Sequence, residues 1–150
     1  MTMMAVAERA WCLVVPHHAR GARVARHRLT AELTGAVDTP LLMDVVAVVA
    51  ELVGNAIRHA EPLPGGVVRV AWRLAPADGD AVVEIRVTDG GSGAAVPRAR
   101  AAEPEATGGR GLGIVAALAD RWGVDRDGLG QSVWAELSAL TATNRATPAG

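Results

Sequence analysis

The sequence has no lysine, phenylalanine or tyrosine, and its only cysteine is Cys12. A Walker-type phosphate loop needs a lysine side chain to reach the phosphates, so this absence excludes that class of nucleotide site. A lone cysteine cannot form an intramolecular disulfide, which fits a protein of the reducing cytosol. Cys12 also has too few suitably spaced partners, only His17 and His18, for a zinc site.

The sequence also lacks a large net charge. The formal net charge is −1 and the pI is about 6.4, so there is no electrostatic case for binding nucleic acid or an acidic membrane surface. The arginines at positions 20, 23, 26 and 28 are balanced by acidic residues elsewhere. We interpret them as the outer face of a helix.

Long hydrophobic runs are absent too. No uninterrupted apolar stretch approaches the roughly 18 residues of a membrane-spanning helix. Glu8 and Arg9 interrupt the opening segment before a signal-peptide core develops. We therefore expect a cytoplasmic protein without membrane contact. Hydrophobic residues make up 50% of the 150-residue chain, which is ample for the core of one domain.

The apolar pattern predicts a protein that contains both helices and strands. Alternating or short apolar runs indicate strands, runs with helical spacing indicate helices, and Asp38 followed by Pro40 is a helix start signal. The predicted elements, in chain order, are strand 10–15, helices 19–34 and 40–59, strands 67–74 and 81–89, helix 112–122 and strand 131–137.

Consecutive strands joined by short turns imply antiparallel pairing. We therefore predict an α+β fold, a two-layer α/β sandwich with helices on one face of a mixed, mainly antiparallel sheet. We expect a single domain over residues 1–140 and a disordered polar tail over residues 141–150. Residues 90–110 have no apolar periodicity and are predicted to form a long mobile loop.

The first candidate site lies in the stretch AELVGNAIRHA, residues 50–60. Glu51 and Asn55 are four residues apart on a predicted helix and share one face with Asp44 and Arg58. Charged stripes of this kind are usually solvated faces. The functional alternative is a metal and proton site, in which Asn55 offers Mg²⁺ a neutral oxygen and Glu51 is a base one turn away.

The second candidate is VTDGGSGA, residues 87–94, in which Asp89 ends a strand and Gly90, Gly91 and Gly93 follow. A simple glycine turn after the strand is one explanation. Alternatively, the glycines let the backbone approach a flat ligand, and an ionised Asp89 accepts a hydrogen bond from an exocyclic amino group such as that of adenine. The spacing is not that of a Rossmann fingerprint, and no apolar helix follows.

The third candidate is TGGRGLGIV, residues 107–115, where glycines lead into a predicted helix. The free backbone amides of such a helix start attract anions, and the guanidinium of Arg110 adds a positive charge suited to phosphate. A flexible loop before the helix is the alternative. Glycine patterns of this kind are weak when taken alone.

Taken in this order, the three stretches resemble the GHKL superfamily of ATP-binding domains, which includes gyrase-type ATPases, histidine kinases and mismatch-repair ATPases. ELVGNAIRHA looks like its N box, VTDGGSG like its first glycine box and TGGRGLGIV like its second. Together with ADRWG and the final GQSVWAEL, they are most similar to the anti-sigma-factor serine kinase branch. The resemblance covers about residues 10–138 and implies a Bergerat-type ATP-binding fold.

The resemblance assigns roles in the first two stretches. Glu51 matches the general base of the N box and Asn55 matches its Mg²⁺ ligand. Asp89 matches the aspartate that recognises adenine, and Gly91 and Gly93 match the glycines of the first glycine box. ATP and Mg²⁺ are therefore the implied cofactors.

The resemblance also assigns roles near the phosphates. Residues 94–108 correspond to the ATP lid, and Ser132 stands where relatives often have a threonine near the nucleotide. Gln131 replaces a lysine that is common in the branch, which puts a minor phosphate or surface contact in doubt. The second glycine box, which closes on the phosphates, comprises Gly109, Arg110, Gly111, Leu112 and Gly113.

The function implied by the resemblance is an anti-sigma factor with serine/threonine kinase activity. Such a protein binds a sigma factor and uses ATP and Mg²⁺ to phosphorylate a serine of an anti-anti-sigma partner of the STAS type. The alternative is a non-catalytic ATP-binding module that regulates transcription through protein contacts. The residues by themselves do not separate a kinase from an ATPase, because one base can activate a serine hydroxyl or a water molecule.

Two other members of the superfamily fit poorly. A histidine kinase core needs a dimerising helical hairpin for its phosphoacceptor, and the segment around His27 also has to hold a strand, which leaves no room for one. A gyrase-type ATPase needs a transducer domain, and the sequence contains none.

Overall fold

The computed structural model describes residues 8–91, 110–126, 128 and 130–146. Within these residues there are five strands and four helices. The strands are β1 (Arg9–Pro16), β2 (Val67–Ala77), β3 (Asp80–Asp89), β4 (Arg121–Arg126) and β5 (Gln131–Ser138). The helices are α1 (Ala19–Leu33), α2 (Thr39–His59), α3 (Arg110–Leu118) and α4 (Ala139–Ala146).

The five strands form one open sheet in the order β1-β2-β3-β5-β4. Every pair of neighbours among these described strands is antiparallel. The predicted α+β sandwich is confirmed. The expectation of a mixed sheet is corrected, because hairpins and the returning β5 bring each strand next to a neighbour that runs in the opposite direction.

The core lies between the sheet and the helices. Alternate residues of β2 are buried, while Arg69 and Arg73 between them are exposed, as expected for a strand with one face on a core. Trp72 is 2% exposed and its ring stacks on that of Trp11 at a centroid distance of 5.9 Å. The buried residues of β2 are Val68, Val70, Trp72 and Leu74.

Helix α2 is the central helix and carries the first candidate stretch. It begins where the Asp38 carboxylate accepts a hydrogen bond from the amide of Leu41 (3.1 Å), and Pro40 lies in its first turn. Its apolar side chains, spaced three and four residues apart, are buried against α1 and the sheet. They include Leu41, Val45, Val48, Val49, Leu52 and Val53.

By length and composition alone, α2 is apolar enough to cross a membrane, since its mean hydropathy is 1.8 over an 18-residue window. The sequence, which has no uninterrupted apolar run of that length, predicts no such segment. The helix is amphipathic in place, however, because Val45, Val49 and Val53 are fully buried while Met43 on another face is 66% exposed. It is therefore packed as the core helix of a globular domain.

The region after the third helix differs from the prediction. The helix expected over residues 112–122 ends at Leu118, and residues Arg121–Arg126 form the edge strand β4. The local sequence RWGVDR is too polar to indicate a strand. Pairing with β5 stabilises it, and Gly123 provides the space, because a Cβ there would lie 2.9 Å from the ring of Trp134.

The C-terminal segment is also more ordered than expected. Residues Ala139–Ala146, which overlap the predicted disordered tail 141–150, form α4. Tertiary contacts explain this helix: Ala142 is buried, and the guanidinium of Arg145 pairs with Asp44 of α2 and donates to the carbonyl of Leu118 (3.3 Å). Residues 147–150 lie outside the described part of the chain.

Candidate nucleotide-binding site

The last three turns of α2 carry the first two candidate residues. Glu51 and Asn55 are both partly exposed on one face of the helix, one turn apart, as the sequence predicts. Among the residues that the structure describes, the carboxylate of Glu51 makes no hydrogen bond or ion pair. It is therefore available to accept a proton from a ligand or partner.

The amide of Asn55 is held by its neighbour Arg58. The Nη2 atom of Arg58 donates to Oδ1 of Asn55 at 3.2 Å. The guanidinium folds back over Gly54, where a Cβ would lie 2.9 Å from Nη1. Asp44, which the sequence places on the same face of α2 as Glu51 and Asn55, instead forms an ion pair with Arg145 of α4.

Asp89 is the last residue of β3 and is only 4% exposed. Its Oδ1 atom accepts a hydrogen bond from the amide of Gly91 at 2.7 Å. Gly91 has φ of +84°, a left-handed conformation in which other residues are strained. The first glycine of the turn, Gly90, is needed for packing, because a Cβ there would lie 2.4 Å from the carbonyl oxygen of Pro62.

The surroundings of Asp89 shift the pKa of its carboxyl group in opposite directions. Burial raises the pKa of Asp89 above the ordinary 3.8, while the amide of Gly91 and the nearby charge of His17 favour the ionised form and lower it. A buried carboxylate with only partial compensation is a strong hydrogen-bond acceptor for a ligand donor.

A backbone connection links α2 to this turn. The amide of Glu61, just after the helix, donates to the carbonyl of Gly91, and the amide of Gly90 donates to the carbonyl of Glu61, both at 2.7 Å. The end of α2 is therefore fixed beside Asp89. No sequence pattern indicates this role for Glu61, because main-chain hydrogen bonds do not depend on the type of side chain.

Ser132 lies near Asp89 along the sheet, but its side chain is on the other face. Its hydroxyl shares a 2.8 Å hydrogen bond with that of Thr88, and both side chains are buried. Thr88 and Ser132 are directly paired, as are Asp89 and Gln131, and side chains alternate between faces along a strand. Gln131, which is partly buried, therefore shares the face of Asp89.

Part of the second glycine box is visible at the start of α3. Arg110 and Gly111 are the first two residues of this helix, Leu112 is partly buried against the core and Gly113 is exposed. Helix α3 packs against α2 and buries Val115 completely. Gly93, Gly109 and the predicted lid 94–108 lie outside the described residues.

The described residues provide three kinds of groups. A buried acceptor ends β3, an amide and a carboxylate lie on α2, and α3, which packs against α2, begins with free backbone amides. By their chemistry, a carboxylate suits the amino group of a nucleobase, an amide oxygen suits a metal ion, and free backbone amides suit an anion.

Comparisons with known proteins identify the family and the fold. A family model described as the histidine kinase-like ATPase domain matches residues 15–137. The chain is similar to a crystal structure of the RsbU and RsbW domains of Rv1364c from Mycobacterium tuberculosis, with a TM-score of 0.61 and 22% identity. That similarity covers 87% of this chain but only 32% of the other, and at this identity it concerns the fold. A comparison with curated proteins gives no match.

Proposed function

The chain belongs to the histidine kinase-like ATPase domain family, and from this premise we propose that it is an ATP- and Mg²⁺-dependent serine kinase that regulates a sigma factor. An ATP-binding regulatory domain of the GHKL type follows from the family and the fold. The phosphotransfer, the metal ion and the protein partners are our proposal. The buried carboxylate of Asp89 at the end of β3 is the observation that carries it.

Asp89 is proposed to recognise adenine. The amide of Gly91 donates a hydrogen bond to Oδ1 of the carboxylate. An ionised carboxyl group can accept further hydrogen bonds, so the exocyclic amino group of adenine is a suitable donor. Gly91 adopts a conformation with positive φ and leaves open space where a Cβ would be. The flat base can therefore approach the backbone closely.

Asn55 is proposed to hold Mg²⁺. Among the described residues, no group of three His, Cys, Asp or Glu side chains could bind a metal ion, so the remaining ligands would be phosphate oxygens and water. Mg²⁺ favours such a set, because it retains several waters and takes few protein oxygens. When bound, the ion would neutralise charge on the phosphates.

Glu51 is proposed to be the general base. It would take the proton of a serine hydroxyl while that oxygen bonds to the γ-phosphorus and the bond from phosphorus to the β–γ bridging oxygen breaks. The backbone amides at the start of α3 and the arginine at position 110 would meet the phosphate charge that a lysine meets elsewhere.

The proposed setting is the cytoplasm, and the proposed partners are a sigma factor, an anti-anti-sigma protein of the STAS type and a second copy of the chain. The motifs of the anti-sigma branch and the fold shared with a structure that contains an RsbW domain support this choice. The alternative is a module that binds ATP and regulates transcription through protein contacts without transferring phosphate.

Calorimetric titration with ATP, with and without Mg²⁺, tests the proposal first. We expect Mg²⁺-dependent binding that is lost in Asp89→Asn and kept in Asp78→Asn, a matched change at the exposed β2–β3 turn. Incubation with radiolabelled ATP and a candidate STAS-type partner then tests phosphotransfer. Binding without transfer to any partner serine would favour the module, and no binding at all would refute the ATP site.

A further inference from the structure

His17, the residue after β1, contacts the end of α2 through its ring. Its Nε2 atom lies 3.0 Å from the carbonyl oxygen of Ala56 and 2.8 Å from that of Ala60. Because a carbonyl oxygen only accepts, Nε2 must carry the hydrogen and donate to both. The backbone amide of His17 donates to Gly66 at 3.0 Å, which fixes the position of the residue.

These two carbonyls lie at the C-terminal end of α2, and that of Ala60 has no donor within the helix. Ala60 is the C-cap residue, and its amide donates to Ala56 at 3.2 Å. Basic side chains often bond to the carbonyls at this end of a helix. His17 does so from the segment between β1 and α1, so the end of α2 is held against that segment.

The residue after Ala60 continues the connection to the candidate site. Glu61 makes two backbone hydrogen bonds with Gly90 and Gly91, both of 2.7 Å, and Gly91 in turn donates to Asp89. Three hydrogen bonds, joined by the backbone of residues 60–61 and of Gly91, therefore link the ring of His17 to the carboxylate of Asp89.

We propose that His17 is a positioning residue that fixes the carboxylate of Asp89 relative to α2 and thereby sets the preference of the site for adenine. The inference rests on the proposed ATP-binding function. The charge of His17 acts in the same direction, since it lowers the pKa of the buried Asp89 and favours the ionised acceptor. No motif of the sequence includes His17.

Two substitutions of His17 test whether a side-chain N–H donor must lie where Nε2 lies. In His17→Gln the side-chain amide nitrogen lies as many bonds from Cβ as Nε2, so both carbonyls keep a donor. In His17→Asn the nitrogen lies one bond closer to the backbone and cannot reach them. The two variants differ by one methylene group and carry the same neutral amide, so each is the matched control of the other.

Affinity is measured for ATP and for inosine triphosphate, which has an oxygen in place of the exocyclic amino group. We expect His17→Asn to weaken ATP binding about tenfold, the size of one or two lost hydrogen bonds, and to change inosine triphosphate binding less. His17→Gln should restore most of the affinity and the preference. Equal losses for both nucleotides, or failure of glutamine to rescue a folded protein, would overturn the inference.

Amide hydrogen exchange by NMR gives a second readout that needs no nucleotide. We expect the amides of Glu61 and Gly90 to exchange faster in His17→Asn than in His17→Gln. Without a donor at position 17, residues 60 and 61 are held less firmly, and the hydrogen bonds of these two amides open more often. Unchanged exchange in a folded His17→Asn protein would overturn the inference while ATP binding still stands. A wild-type protein that binds neither nucleotide would instead refute the proposed function and the adenine preference with it.

Discussion

Asp89 and Gly91 form a closed turn in which the carboxylate accepts a 2.7 Å hydrogen bond from the amide two residues later. The turn ends β3 inside the protein, with Asp89 4% exposed. The acceptor is therefore shielded from water and is held by its own backbone. Among the described residues, the amide of Gly91 and the charge of His17 favour the ionised carboxylate, and neither forms a direct ion pair with it.

Replacing Asp89 with asparagine should separate binding from stability. We expect ATP affinity to fall by at least about tenfold, since a charged hydrogen bond is worth roughly 1.5–3 kcal/mol. The side-chain oxygen of asparagine can still accept the hydrogen bond from the amide of Gly91, so the fold should persist. Calorimetric titration measures the loss, and unchanged affinity would show that adenine is recognised elsewhere.

The stability of the same variant follows from the direction of the pKa shift. Burial raises the pKa of Asp89 above 3.8, so the folded protein holds this proton more tightly than the unfolded chain. The contribution of Asp89 to stability is therefore greatest at low pH and is lost as pH rises from about 4 through the raised pKa. Asp89→Asn should melt at the same or a higher temperature than wild type at pH 7, and this advantage should disappear near pH 3. A lower melting temperature at pH 7 would contradict the assignment of burial as the main cause.

Asn55→Ala should remove the Mg²⁺ dependence of ATP binding. The amide oxygen is the proposed protein ligand of the ion, and the only partner it has among the described residues is Arg58. Without it, ATP should bind weakly and to the same extent with or without Mg²⁺ in a calorimetric titration. Asn144→Ala, an exposed change on α4, is the control. A variant that retains Mg²⁺-dependent binding would exclude Asn55 as the ligand.

The sequence predicted most of the secondary structure but not the elements that depend on distant partners. Helix α2 has a capping residue and a continuous apolar stripe, so its bounds were predicted within one residue. Strand β4 has few apolar residues and forms because it pairs with β5. Helix α4 contains threonine and asparagine, which are weak helix formers, and is held through Arg145.

The same distinction applies to the candidate site. Spacing alone placed Glu51 and Asn55 one turn apart and Asp89 at the end of a strand. The face of Ser132 depends on its register with Thr88, which a single sequence does not contain. Glu61 was missed because its contribution is through the main chain, and His17 because its ring bonds to carbonyls of residues about 40 positions away.

The buried hydroxyl pair of Thr88 and Ser132 should contribute to stability more than to binding. Thr88→Val or Ser132→Ala leaves one buried hydroxyl without its partner, which should cost about 1–3 kcal/mol of unfolding free energy. The double variant should cost less than the sum, because neither hydroxyl is then left unpaired. Urea unfolding measures these energies. ATP affinity reduced tenfold in Ser132→Ala would instead show that this hydroxyl contacts the nucleotide.

Arg145 should stabilise the domain by joining α4 to two other elements. It pairs with Asp44 of α2 and donates to Leu118 at the end of α3, and the side chain of Asp44 is only 17% exposed. We expect Arg145→Gln to lower the unfolding free energy by about 1 kcal/mol, at the upper end for a partly exposed pair. Arg28→Gln, which breaks an exposed pair with Glu32 on α1, should cost less. Equal effects of the two changes in urea unfolding would mean that α4 is not held by this contact.

Glu51→Gln decides whether the site transfers phosphate through this carboxylate. Glutamine has the same shape but cannot take a proton, so ATP·Mg²⁺ should bind with unchanged affinity while phosphotransfer falls about a hundredfold or more, as expected for loss of a general base. Glu61→Gln is the matched control, because Glu61 lies just after the same helix and only its backbone is bonded to the turn. Transfer is measured with radiolabelled ATP and a serine-bearing STAS-type partner, and ATP hydrolysis is measured without the partner. Loss of both activities would assign Glu51 as the base toward serine and water alike, whereas a variant with full phosphotransfer would remove Glu51 from the mechanism and leave the base to be sought among the remaining carboxylates near α2.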